Sequence, residues 1–116
     1  MRIPHLALKR QLCLLGLILP LLANAQTVSS TQQSLEQARQ LREQGLYRSA
    51  EQALKSRTPD ELPIVERAEF YREWGLIMVR QGRIVEADAA FNQGLEAARL
   101  TGEMGMEAAL LNDKGA

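Results

Sequence analysis

The chain has 116 residues, 46% of them hydrophobic and 24% charged, with 14 basic and 14 acidic side chains, one cysteine and one histidine. Such a length suits one small domain, and past residue 25 the 11 basic against 14 acidic side chains give nucleic acid no electrostatic footing. Richness in Ala, Leu, Glu, Gln and Arg, with few β-branched or aromatic residues outside a few clustered positions, reads as all-helical.

Residues 1–25 have the form of a cleavable export signal. Arg2, Lys9 and Arg10 make a positive start, Leu12 through Leu22 an apolar core, and Ala23-Asn24-Ala25 the small-x-small pattern cut before Gln26. The apolar run, broken by Pro20, is shorter than the roughly 20 residues a spanning helix needs, so a permanent membrane anchor is the weaker reading. Cys13 lies inside that run behind Gln11-Leu12, whereas a lipidated cysteine should end it after small residues. Cleavage removes Cys13 and His5 along with three of the 14 basic residues and none of the acidic ones, leaving 11 against 14 and a net charge of −3. A chain without thiol or imidazole has no disulfide, no Cys/His zinc site and no Ser-His or Cys-His nucleophile pair. The expected location is periplasmic or secreted.

After a short linker at 26–30, Ser29, Ser30 and Thr31 offer hydroxyl caps, with Gln33 as a capping-box partner of Ser30, to a helix reaching about Gln44. Gly45 ends it. A second helix, about Arg48 to Ser56, carries Ala50, Ala53 and Leu54 on one face, and the two prolines of Thr58 through Pro63 then form the main loop. The third, about Ile64 to Gln81, sets Ala68, Tyr71, Gly75, Met78 and Val79 at helical steps and closes at Gly82. The fourth, about Arg83 to Leu100, repeats the spacing with Ile84, Ala87, Phe91, Leu95 and Ala98. A fifth runs from near Met104 to Asn112 or beyond, apolar at Met104, Met106, Ala109, Leu110 and Leu111.

These helices fall into two pairs and an unfinished third. Ala38, Leu41, Gly45, Ala50 and Leu54 of the first pair match Gly75, Met78, Gly82, Ala87 and Phe91 of the second at a constant displacement of 37 residues. Together with Tyr71, Trp74 and Gly94, the second pair resembles the tetratricopeptide repeat, with its series of aromatic, small and turn-glycine positions. A plain helical hairpin bundle would explain the helices without explaining the matched offsets. The resemblance implies antiparallel helix pairs stacked as a solenoid: a degenerate first repeat at 31–61, a second at 64–100, and the first helix of an incomplete third at 103–116. The first copy departs from the pattern, with Ser34, Gln37 and Arg57 in the places of Tyr71, Trp74 and Gly94. Gly75 inside a helix costs about 1 kcal/mol against alanine and so needs a close neighbour, for which Ala87 is the expected residue. Tyr71, Trp74 and Phe91 are expected to fill the space between one pair and the next. Gly115 falls in the small place of Gly75 in the unfinished repeat, whose Met104, Met106, Ala109, Leu110 and Leu111 leave little of a capping helix's polar face; the expectation is the N-terminal piece of a longer array or, alternatively, assembly, including self-association.

No residue set suggests catalysis or a cofactor. Glu66, Glu69 and Glu73 interleave with Arg67, Arg72 and Arg80 as a solvated helix face does. Gly102-Glu103-Met104-Gly105 lacks the strand that precedes a phosphate loop, and Met104 with Met106 reads as core rather than a metal site. What the repeat resemblance implies is binding: a concave groove lined by Arg39, Arg42, Glu43, Arg72, Leu76, Val79, Arg80 and Asn112, basic enough to clamp an acidic peptide or carboxylate. Those arginines could equally be solvated and paired with nearby glutamates. The expected function is an exported protein-interaction scaffold. The alternative is the leader and repeat arm of a larger enzyme, such as a caspase-like peptidase.

Overall fold

In a computed structural model, residues 29–115 are described. The expected export signal and most of the expected linker lie outside them. Among the described residues the chain forms five α-helices and no strand: α1 (Ser30–Glu43), α2 (Tyr47–Lys55), α3 (Ile64–Arg80), α4 (Ile84–Thr101) and α5 (Met104–Gly115), with one 3-10 turn at Pro59–Glu61. The all-helical expectation holds, and the helix ends fall within a residue or two of the expected ones. The α1 cap is Ser29, one position before the expected box: its Oγ accepts from the Gln32 amide and donates to Glu66 Oε1 on α3.

Three of the helices stop in the same way. Leu46 N–H bonds to Leu41 O and Gly45 N–H to Arg42 O; Arg83 to Met78 and Gly82 to Val79 repeat this 37 residues on, and Glu103 to Ala98 with Gly102 to Arg99 a third time. This six-to-one plus five-to-two arrangement needs a left-handed residue, and the glycines supply φ values of +81°, +74° and +69°. The reversal brings α1 onto α2, and α3 onto α4, as antiparallel neighbours.

α3 is the hub of the fold. It packs against α1, α2, α4, α5 and the 3-10 turn, whereas the backbones of α1 and α2 approach neither α4 nor α5 and meet them only through side chains. A helix with neighbours on several sides buries more than one stripe, so Phe70, Glu73 and Ile77 are buried besides the expected Ala68, Gly75 and Met78. Val79, expected on the apolar face, is exposed, and Tyr71 is only half-buried. Trp74 stacks on Phe70 with ring centroids 6.1 Å apart, and Tyr71 meets Phe70 edge-on at 5.5 Å.

Within the second pair, the close neighbour of Gly75 is Phe91 rather than the expected Ala87: a Cβ at Gly75 would lie 2.6 Å from Phe91 Cδ1, and the three nearest atoms all belong to that ring. Phe91 thus fills the space inside the pair, not between pairs. Gly94 does the latter work, lying where a Cβ would meet Leu110 Cδ2 at 2.9 Å and the Ala68 carbonyl at 3.4 Å. Ile84 and Met104 are corrections to the expected core. Each opens its helix, beyond the reach of the neighbouring helix, and they are 60% and 80% exposed.

The two odd residues of the first copy compensate one another. Arg57, in the place of Gly94, donates from Nε to Ser34 Oγ, in the place of Tyr71, at 3.1 Å, and from Nη2 to Ser30 O at 2.9 Å. Arg67, expected on a solvated face, ties the proline loop down by donating to the carbonyls of Pro59, Asp60 and Leu62 at 3.0–3.2 Å.

Substituting Gly75→Ala adds helix propensity of about 1 kcal/mol, yet it forces a buried ring to move, so a net loss of about 1–3 kcal/mol is expected. Chemical denaturation of G75A, of F91L and of the double variant measures it. If the contact is the cause, F91L offsets most of the G75A loss; simple additivity of the two would rule the contact out as the cause.

Candidate functional site

The first helices of the two pairs, together with α5, line one concave cleft of about 460 Å³. α1 supplies Gln32, Leu35, Glu36 and Arg39, α3 supplies Glu69, Arg72 and Glu73, and α5 supplies Met106. Gln32, Leu35 and Glu36 stand 37 residues before Glu69, Arg72 and Glu73, so the cleft is built from corresponding positions of the two copies. Leu35, itself 7% exposed, and the half-buried Met106 give it an apolar floor between charged walls.

Of the eight expected groove residues, Arg39 and Arg72 line this cleft. Arg42 points instead between the pairs, where its Nε and Nη2 reach Glu73 Oε2 and Oε1 at 2.9 and 3.2 Å. With side-chain exposures of 17% and 11%, this two-point pair is shielded from water, and Glu73 is no part of a solvated face. Arg72 is held by Asp113 of α5, Nε to Oδ2 at 2.6 Å. Arg39 pairs with Glu36 one turn away, both half in water. Glu43 is exposed at the end of α1, and Leu76 is packed against the core. Val79 and Asn112 are exposed outside the cleft, and Arg80 borders a separate shallow depression beside Gly45–Ser49. The expected four-arginine clamp is therefore not assembled. Two guanidinium groups tie helices together, one borders another depression, and the fourth is in a local pair.

The residues missed by sequence reasoning lie one turn nearer the helix N-termini than the expected set. The constant displacement carried the signal, since it links Gln32 to Glu69 and Glu36 to Glu73 across the copies.

Glu69 is the cleft's uncompensated charge. Glu69 is exposed and, among the described residues, has no ion pair or side-chain hydrogen bond; partial enclosure at the cleft wall, with the charges of Glu103 and Glu66 nearby, moves its carboxyl above the ordinary range despite Arg39 and Arg72. Glu36 moves the other way, held below that range by the hydrogen bond from Arg39.

A second cluster of charges joins α2 to the start of α4. Glu51 is 7% exposed and accepts from Arg83 Nη1 at 3.0 Å, with Lys55 Nζ 3.6 Å away. Burial alone would raise its carboxyl, but the hydrogen bonds from Arg83 and Gln81 and the charges of Arg83 and Lys55 bring it below its ordinary value. Every buried side-chain polar atom among the described residues has a partner, and no cluster of three metal-ligating side chains occurs among them. No helix among the described residues is long and apolar enough to cross a membrane. Comparison with protein-family models, with curated proteins and with solved structures finds no match.

The two arginine environments predict different costs. Arg42→Met strands Glu73 between helices and should cost about 2 kcal/mol or more, whereas Arg39→Met at a wet pair should cost under about 0.5 kcal/mol. Urea denaturation of the two variants checks this. Equal small losses would mean that the Arg42 pair does not hold α1 to α3.

Proposed function

We propose that this chain is a tetratricopeptide-like helical scaffold, exported from the cytoplasm, that docks an extended segment of a partner protein in the cleft between α1, α3 and α5 and performs no catalysis of its own. The observation that carries this reading is the cleft itself: an apolar floor at Leu35 and Met106 beside an exposed carboxylate, Glu69, that forms no ion pair among the described residues. Glu69 is exposed at the cleft wall, and a cationic side chain arriving there from outside gains an ion pair that the fold does not provide. An apolar residue beside that cation would cover the floor. The exposed Glu36 and Arg39 pair can open to meet a partner's own charges at little cost.

This changes the expected charge of the partner. With Arg42 and Arg72 engaged by Glu73 and Asp113, an acidic peptide finds Arg39 alone, whereas a segment carrying a Lys or Arg next to Leu or Val finds both parts of the cleft. The matched turns and the constant displacement between the pairs support the stacked-repeat reading, because a concave surface assembled from the first helix of each unit is what such stacking produces.

The reading is tested with synthetic peptides in which one Lys is flanked by Leu or Val, set against the same peptides with Gln in place of Lys. The Lys peptides should bind roughly three- to tenfold more tightly, and Glu69→Gln should erase the difference. As pH falls, Glu69 protonates through a value above the usual 4.5, so the Lys preference should fade at milder acidity than an ordinary carboxylate would give, and E69Q should be flat over that range. Peptides that bind equally well to both proteins would remove the basis for this site.

A further inference from the structure

α5 has two unlike faces. Its inner side carries Leu110, which is fully buried against Gly94, with Met106 packed against the core and Asp113 bonded to Arg72. Its outer side carries Met104 at 80% exposure, Ala108, Leu111 at 48% exposure and Gly115, at steps of four, three and four that make one continuous stripe.

That stripe matches the face α3 turns toward α4. Both helices follow a completed pair, starting at Ile64 and Met104, and 40 residues also separate Phe70 from Leu110 and Gly75 from Gly115. The packing agrees with this alignment. Phe70 borders a pocket with Arg57 while Leu110 sits on Gly94, and Arg57 and Gly94 are corresponding positions of the two copies. In α3 this face is covered: Ala68 is fully buried, and Gly75 takes the Phe91 ring from an antiparallel helix. In α5 a Cβ at Gly115 would meet nothing within 4 Å. Gly115 has no left-handed φ either, so a turn does not account for it.

We propose that the outer face of α5 pairs with the same face of a second copy, as two antiparallel helices about a two-fold axis. The stripe alternates large, small, large, small. Laid antiparallel on itself about a point between Ala109 and Leu110, it sets each Met104 in the partner copy's Gly115 socket and each Leu111 over the partner copy's Ala108. Large residues meet small ones throughout, which is the condition for interdigitated packing. An isologous contact needs such a self-complementary patch. Head-to-tail addition is not supported, because every exposed residue of α1 and α2, at the other end of the described chain, is polar. The proposal is independent of what occupies the cleft.

Two 12-residue helices bury less than the roughly 1,200–2,000 Å² of a standard interface, so association is weak, with dissociation constants of roughly micromolar to millimolar, and covalent trapping is the suitable test. The full chain carrying C13S, so that no native thiol remains, is oxidised with M104C, with G115C, or with both. The double variant should give at least about tenfold more covalent dimer than either single variant, since thiols are joined only where their Cα atoms come within about 7 Å, and peptide mapping should show the 104 to 115 linkage. Within one helix those positions are about 16 Å apart, too far for an internal link. Adding Ala108→Glu, an exposed change that leaves the fold intact, should abolish the dimer. Absence of dimer, as when another segment covers α5, or equal 104 to 104 linkage in the single variant, would overturn the proposal.

Discussion

The seating of the Phe91 ring on the bare backbone of Gly75 is the constraint from which the rest of the arrangement follows. It lets α3 and α4 approach more closely than two ordinary side chains would permit, and it leaves α3 free to carry other large residues on its remaining sides. Phe70 and Trp74 then face the first pair, while Ala68 and the adjoining Gly94 leave room for Leu110 of the helix that follows. A helix that must serve four neighbours cannot be polar on any broad face, and α3 accordingly mixes aromatics, glycine and charges that are satisfied internally at Arg67, Arg72 and Glu73.

Charge does a job here that a hydrophobic seam does in larger proteins. The contacts between one pair and the next include Arg42 with Glu73, Glu51 with Arg83, Arg72 with Asp113 and Arg99 with Glu107. A short helical array has little core to spare, and each such contact fixes rotation about the helix axis more narrowly than an apolar contact of equal area, because the guanidinium fork accepts few geometries. The consequence reaches the cleft. By using its arginines to align the helices, the fold leaves the concave side with a carboxylate in excess, at Glu69.

Helix positions, turn glycines and the 37-residue displacement were legible in the sequence because each rests on local chemistry: capping hydroxyls, left-handed glycines and helical periodicity. The faces were harder to read. A single-stripe reading of α3 put Val79 inward and overlooked Phe70 and Ile77, since periodicity reports one buried side and cannot count neighbours. The partners of the arginines were out of reach for a similar reason. Which of Glu36, Glu69 and Glu73 meets which guanidinium depends on crossing geometry between helices 31 to 41 residues apart in the chain.

The same logic explains why the small residues of this chain carry more information than its large ones. A leucine can be placed in many surroundings, but a glycine inside a helix is unfavourable unless something fills the space it vacates. Gly75 is filled by Phe91 and Gly94 by Leu110, each from a different helix, and the two contacts together determine how α3, α4 and α5 sit on one another. Gly115 repeats the first of these positions with nothing against it, on a stripe where Met104 and Leu111 stand in water. Gly75 and Gly94 each have a large side chain for a neighbour, and Gly115, at the position corresponding to Gly75, is the bare one of the three.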